Sequence, residues 1–209
     1  MSVKAKNPLT KCVWSQDCQA IYVGDITGLI QAFNVQTQQF VDIGKHTAAI
    51  SALHIVPGQN IVISAAFENN IHFWQPGNPA PAFTIDIGNK VFCSDFANPI
   101  LIVGCGNEKI GIIDITNPNN KTILESVDLG KNSLLQSCAI NKTCDTIGLS
   151  TFDGRSNISS IVKAPNGTYS QVIFNFILEN NHYFQVTQIR GEPQLNHPLP
   201  SERSVIFPS

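Results

Sequence analysis

Lys45-His46-Thr47-Ala48-Ala49-Ile50 opens the stretch that decides the fold, and the stretch runs on to Trp74. An apolar run over 50–55 leads into the turn Val56-Pro57-Gly58-Gln59-Asn60. A second apolar run covers 61–67, and after Glu68-Asn69-Asn70 comes the alternating segment Ile71-His72-Phe73-Trp74. A fourth run, 82–87, is reached through a loop whose prolines, Pro76, Pro79 and Pro81, prevent a continuing strand or helix. Helical periodicity is not evident over any long window, so short strands separated by polar turns, an antiparallel meander, are predicted.

Variants of this unit lie on both sides. Before it, strands are predicted at 9–14, 20–23, 29–35 and 39–43. After it come 91–96, 100–105, 110–115 and 122–127, then 134–140, 146–151, 157–162 and 171–177. Asn117-Pro118-Asn119-Asn120 turns one pair, and Asn166-Gly167 gives the last unit a strong hairpin signal. The third strands end near Phe33, Trp74, Ile113 and Ser160, at spacings of 41, 39 and 47 residues. That period is close to the roughly 40–45 residues of a WD-type propeller blade. The prediction is an all-β WD-repeat β-propeller of about four four-stranded antiparallel blades, at 8–44, 45–89, 90–130 and 131–178. Residues 1–7 are expected to be flexible. Residues 179–209 are read as a partial fifth-blade strand at 182–189 followed by an irregular tail with four prolines.

Composition narrows the function. Charged residues make up 13% of the 209, about half the globular norm of roughly 25%. With a net charge of −2, a large basic face for direct nucleic-acid binding is not expected. No apolar run approaches the roughly 20 residues that span a bilayer, and the N-terminus has no apolar signal core. A cytosolic or nuclear protein with reduced cysteines is therefore expected. Its six cysteines, at 12, 18, 93, 105, 138 and 144, form no Cys-x-x-Cys pair, which argues against a disulfide framework or zinc site. Gly104-Cys105-Gly106 lacks a third glycine and opens no helix, so it is not a dinucleotide fingerprint. No hydrolase, metalloprotease or phosphate-loop motif appears, and no cofactor, metal, small-molecule substrate or membrane insertion is expected. Four Asn-x-Ser/Thr sequons, at Asn120, Asn141, Asn157 and Asn166, are read as chance.

The residues resemble one family. Lys45-His46-Thr47 looks like the Gly-His start of a WD repeat, and Ala65-Ala66-Phe67-Glu68-Asn69-Asn70-Ile71-His72-Phe73-Trp74 looks like a conserved block of the nuclear-pore messenger-RNA export WD-repeat factors. Lys90-Val91-Phe92-Cys93-Ser94-Asp95-Phe96 with Pro99-Ile100-Leu101-Ile102-Val103-Gly104 resembles a second segment of that family. Leu149-Ser150-Thr151-Phe152-Asp153-Gly154-Arg155 resembles its Gly-Ser-Ile-Glu-Gly-Arg segment, which the mitotic-checkpoint WD proteins share. The likeness covers about 8–189. It implies a seven-bladed ring, of which this chain holds about four blades and a fragment, and a non-enzymatic adaptor binding a partner peptide across the top face. In the export group that partner is a Phe-Gly-repeat nucleoporin, implying a nuclear, nuclear-envelope and pore location with cytoplasmic shuttling. Alternatives are a spindle-checkpoint role with a kinase peptide, or a truncated propeller without independent function.

On this resemblance Arg155, just past the Asp153-Gly154 turn, pairs with an acidic side chain of the peptide. The guanidinium suits this through its planar fork. The other reading pairs it with Asp153. Phe67-Glu68 replaces the family's top-face Trp-Asp pair and is the second peptide-binding candidate, against a reading in which Phe67 packs between blades. His46 is read as structural, in a hydrogen-bond network with a turn acid and a strand Ser or Thr. The usual turn Asp is not evident, so an incomplete network is expected. Trp74 is read as inter-blade core, Phe33 as its substitute in the first unit, and Gln75 stands where the family has Asp. Any RNA contact is expected to be weak or indirect, through Lys11, Lys45, Lys90 and Lys109.

Overall fold

A computed structural model describes residues 4–106, 109–117, 121–125 and 134–174. They form four antiparallel four-stranded sheets, the propeller blades, each strand paired with its neighbour in sequence. Blade 1 holds β1 (Leu9–Trp14), β2 (Ala20–Asp25), β3 (Leu29–Asn34) and β4 (Phe40–Lys45). Blade 2 holds β5 (Ile50–Ile55), β6 (Val62–Ala66), β7 (Asn70–Trp74) and β8 (Phe83–Asp86). Blade 3 holds β9 (Val91–Ala97), β10 (Ile100–Cys105), β11 (Lys109–Asp114) and β12 (Lys121–Glu125). Blade 4 holds β13 (Leu135–Ile140), β14 (Thr146–Thr151), β15 (Ser156–Lys163) and β16 (Tyr169–Phe174). Among the described residues there is no helix. The first strands of successive blades lie side by side, β1 by β5, β5 by β9 and β9 by β13.

The expected array is therefore present, with small shifts at strand ends. The last strand begins at Tyr169, directly after the hairpin in which Thr168 N–H and hydroxyl both donate to Asn166 Oδ1. The region expected to hold 182–189 and the tail lies outside the described residues, as does most of the 117–120 turn.

The pleat explains why the sheets stack. In a strand, successive side chains point to opposite faces. All six residues of β10 are buried. Ile100 and Ile102 enter the core shared with blade 4, beside Leu135, Ile147 and Leu149. Leu101, Val103 and Cys105 enter the core shared with blade 2, beside Ile63, Ala65 and Ile71. A third core joins blades 1 and 2 through Tyr22, Ile30, Ile43, Ile50 and Trp74. The outer side of blade 4, away from blade 3, keeps Ile158 and Val162 exposed.

Gly44 of β4 shows how closely the blades approach: a Cβ there would lie 2.2 Å from the Trp74 ring. Gly148, on β14, would meet nothing within 4 Å. Gly44→Ala is expected to cost about 2 kcal/mol from overpacking. Gly148→Ala is expected to stay within about 0.5 kcal/mol. Urea melts of both variants against the unaltered protein check the difference.

Candidate functional site

Antiparallel strands send alternate connections to opposite faces. The connections between second and third strands, and those between blades, therefore share one face, here called the top. The amide after each second strand marks equivalent positions. Ile26 N–H donates to Pro8 O at 3.1 Å, Phe67 to Ala49 O at 3.0 Å, Gly106 to Lys90 O at 2.9 Å and Phe152 to Leu134 O at 3.1 Å. Three of these four positions carry large apolar side chains held in solvent: Ile26 is 53% exposed, Phe67 43% and Phe152 64%. At the fourth, Gly106, an added Cβ would meet Phe92 at 3.3 Å, and Phe92 stands edge-on to Phe67 with centroids 5.7 Å apart. Phe67 is thus a top-face residue that stays 43% exposed while its ring meets Phe92 of the next blade, so its placement combines features of both readings. Phe92 and Phe152 lie inside two segments that carry the family resemblance, but the sequence alone does not mark either as a top-face residue.

Blade 2 holds a complete buried polar chain beneath this face. Trp74 Nε1–H donates to Ser64 Oγ at 2.7 Å. Ser64 Oγ is 2.7 Å from His46 Nε2, and His46 Nδ1 is 2.6 Å from Glu68 Oε1. The other carboxylate oxygen accepts from the Thr47 N–H at 3.0 Å and from the Thr47 hydroxyl. Burial pushes the Glu68 carboxyl up, but the bonds from Thr47 and His46 outweigh it and hold the group below the usual carboxylate range. An ionised carboxylate only accepts, so His46 carries its proton on Nδ1 and its Nε2 accepts from Ser64. Every group in the chain donates and accepts in register, with a neutral imidazole; burial holds His46 below its ordinary value despite Glu68.

This corrects the expectation of an incomplete network. The acid is Glu68, one methylene longer than the Asp sought, and it reaches back across the loop to His46. Glu68 therefore directs both oxygens inward, toward His46 and Thr47. Ser64 was overlooked, yet a lone hydroxyl within the apolar run 61–66 needs a buried partner. His46, Glu68 and His72 also place ligand-type atoms within 4.8 Å of one another. His46 and His72 are stacked at 4.4 Å, and His72 Nδ1 meets Thr84 Oγ1 at 2.8 Å. Both His46 nitrogens are taken by Ser64 and Glu68, so a cation there would have to displace the proton that holds the chain together.

Arg155 sits on the top face of blade 4, two blades from Phe67. Gly154, at φ +86°, forms the turn between β14 and β15, and the Arg155 N–H donates to Thr151 Oγ1 at 3.1 Å. Arg155 Nε lies 3.3 Å from Asp153 Oδ2, with the two side chains 55% and 44% exposed. Asp153 also accepts from the Thr151 hydroxyl. Trp74 is buried against blade 1. Phe33, at the matching strand position, is half-buried and 4.9 Å from Phe40.

No protein-family model matches the chain. It is similar to protein Rae1 of Drosophila melanogaster, at 21% identity over 53% of this chain and 32% of the relative. It is also similar to the poly(A)+ RNA export protein of Schizosaccharomyces pombe, at 21% over 75% of this chain and 45% of that one. The spindle assembly checkpoint protein bub3 of the same yeast is 22% identical over 74% and 48%. The chain thus spans about a third to a half of the length of these relatives. Among solved structures, the β-propeller domain of Myceliophteria thermophila Cps50 (Swd1) superposes with a TM-score of 0.63 at 11% identity, over 88% of this chain and 72% of that one. The computationally designed Ika4 protein gives 0.62 at 19%, over 75% and 93%. The chain is a WD-repeat β-propeller array. In this WD array the His-Ser-Trp-acid chain survives in blade 2.

Acid should weaken this WD array. Burial lowers His46, His54 and His72 below their ordinary value, His54 to about 4, where Asp95 opposes the shift and Lys11 adds to it. The unfolded chain then takes up these protons first, so stability is full above about pH 6.5 and falls as pH drops toward 4. Glu68, also lowered, adds loss below its ordinary value of 4.5. Thermal melts from pH 7.5 to 4 should show this fall. His54→Gln should make it shallower by the His54 share, leaving the part due to His46, His72 and Glu68. Ser64→Ala, which strands His46 and Trp74, should cost about 2–3 kcal/mol at pH 7.5.

Proposed function

We propose that this chain is a non-enzymatic adaptor whose top face binds a nucleoporin-type peptide and supports messenger-RNA export, acting in the nucleus and at the nuclear pore with cytoplasmic shuttling. The observation that carries the reading is the row of apolar side chains at equivalent top-face positions, ending at the Phe152-Asp153-Gly154-Arg155 turn. Exposed aromatic side chains beside an arginine have the composition of a binding hot spot. Lys45 and Lys90, both exposed, stand at blade junctions on the same face. This favours a peptide that joins acidic and aromatic residues. Arg155 takes an acidic side chain by exchanging its exposed contact with Asp153, Phe67 and Phe152 take apolar ones, and Glu68 acts indirectly by fixing the loop that carries Thr47. RNA contact is secondary, through scattered lysines such as Lys11, Lys45, Lys90 and Lys109.

The similarity to a protein named for poly(A)+ RNA export supports this reading, and the equal similarity to a spindle assembly checkpoint protein supports a second, in which a checkpoint-kinase peptide uses the same face. Binding of labelled acidic peptides of both kinds decides between them. Arg155→Glu and Phe152→Ala are each expected to weaken the favoured peptide at least about tenfold, about 1.4 kcal/mol. Unchanged binding in both variants overturns the site.

A further inference from the structure

The face opposite the top carries a feature that the adaptor reading does not use. Blades 1 and 2 part there to leave a cleft of about 520 Å³, within the roughly 300–1,000 Å³ of ligand pockets. One wall is the turn between β1 and β2, with Ser15, Gln16 and Asp17; the other is the turn between β5 and β6, with Gly58, Gln59 and Asn60. The Gly58 N–H donates to Gln16 Oε1 at 2.9 Å, which ties the walls together and sets the cleft before any ligand arrives. Tyr22 and Val62, both buried, and the half-buried Ile55 and Ile61 supply an apolar floor.

We infer that this cleft is a second docking site, which takes an arginine side chain from a short peptide with apolar flanks. Asp17 is the only charged side chain in the lining. Its Oδ1 accepts from the Ser15 hydroxyl at 2.6 Å and from the Gln19 N–H at 3.0 Å. Those bonds hold the carboxyl below its usual range, and so ionised. They also orient it. Among the described residues no other residue hydrogen-bonds Oδ2, which is left as an acceptor at the rim. The side-chain amides of Gln59 and Asn60 add carbonyl acceptors on the facing wall. An arginine matches this arrangement in two parts: its planar head offers several donors to acceptors spread over two walls, and its methylene stem packs on Ile55, Ile61 and the Tyr22 ring. An acidic side chain would meet Asp17 as a like charge, and a purely apolar one would leave the rim acceptors unanswered. Trp14, the residue before the wall turn, is 53% exposed and offers a nearby apolar surface for a flanking residue. Both walls belong to blades that pack on one another, so the site is complete within residues 15–62.

The test uses fluorescein-labelled pentapeptides Ala-Leu-X-Val-Ala, with X arginine, norleucine or glutamate, titrated against the full chain and followed by fluorescence polarisation. The arginine peptide is expected to bind at least tenfold tighter than the norleucine peptide, and the glutamate peptide weakest. Asp17→Asn keeps an Oδ1 acceptor for Ser15 and Gln19 but removes the charge. It should abolish the arginine preference while leaving norleucine binding and the thermal midpoint unchanged. Amide shifts in the labelled protein should centre on Gly58, Gln59 and Asn60. Arg155→Glu should leave all of this untouched, just as Asp17→Asn should leave top-face peptide binding intact, so failure of one site is distinguishable from failure of the other. Equal binding of the arginine and norleucine peptides, an unaltered preference in Asp17→Asn, or shifts centred elsewhere overturns the inference.

Discussion

The two inner sheets of this chain are apolar on both faces, and only another sheet can cover them. A blade cannot bury its hydrophobic surface alone, so neighbouring blades are the condition for each other's stability. The consequence is visible strand by strand. β10 is buried along its whole length because its odd and even residues serve different inter-blade cores. Glycines such as Gly44 and Gly24 lie where a neighbour's Trp74 or Ile50 enters the sheet, so the backbone itself forms part of the contact surface. The connections are thereby placed at the ends of the sheets, where their chemistry can vary without disturbing the packing between blades.

The same constraint has two chemical solutions within one chain. Register places Val103 and Ile113 of blade 3 where blade 2 has Ser64 and Trp74. Both are fully buried. Blade 1 has Val23 and Phe33 at those positions, and blade 4 has Leu149 and Ser159. A buried polar chain is stabilising only when every member is satisfied, and replacing the partners together by apolar groups is close to neutral. Blade 2 keeps the whole set and blade 3 keeps none of it at these two positions. That pattern is what such energetics allows: intermediate states with one stranded hydrogen-bonding group are the costly ones.

Strand positions were legible because they depend on local pattern. Apolar runs, proline loops and the Asn166-Gly167 turn fix strands within a few residues whatever the blades do later. The role of Glu68 was not legible in the same way. Its partner, His46, is 22 residues away, and only the folded loop shows that a longer side chain restores the bond an Asp would make. Phe67 was ambiguous for a related reason. An aromatic at a strand end reads as core unless the next blade fails to cover it, and coverage depends on Gly106 and Phe92 together. Arg155 had two readings in the sequence. Its contact with Asp153 gives one of them a geometry, yet that contact is half in solvent, where such pairs contribute little.

Weak internal pairing is itself informative about the top face. Ile26, Phe67 and Phe152 recur at one register position, and in none of the three is the side chain buried. Folding gains little from these groups, because they remain in water and the hydrophobic term scales with area removed from it. Single exposed apolar residues are ordinary on any protein surface. Three at equivalent turns on one face, the last of them in the turn that carries Arg155, form a pattern that packing does not require. The inter-blade cores fix where the turns stand, so the chemistry carried by these turn side chains is set apart from the packing that holds the blades together.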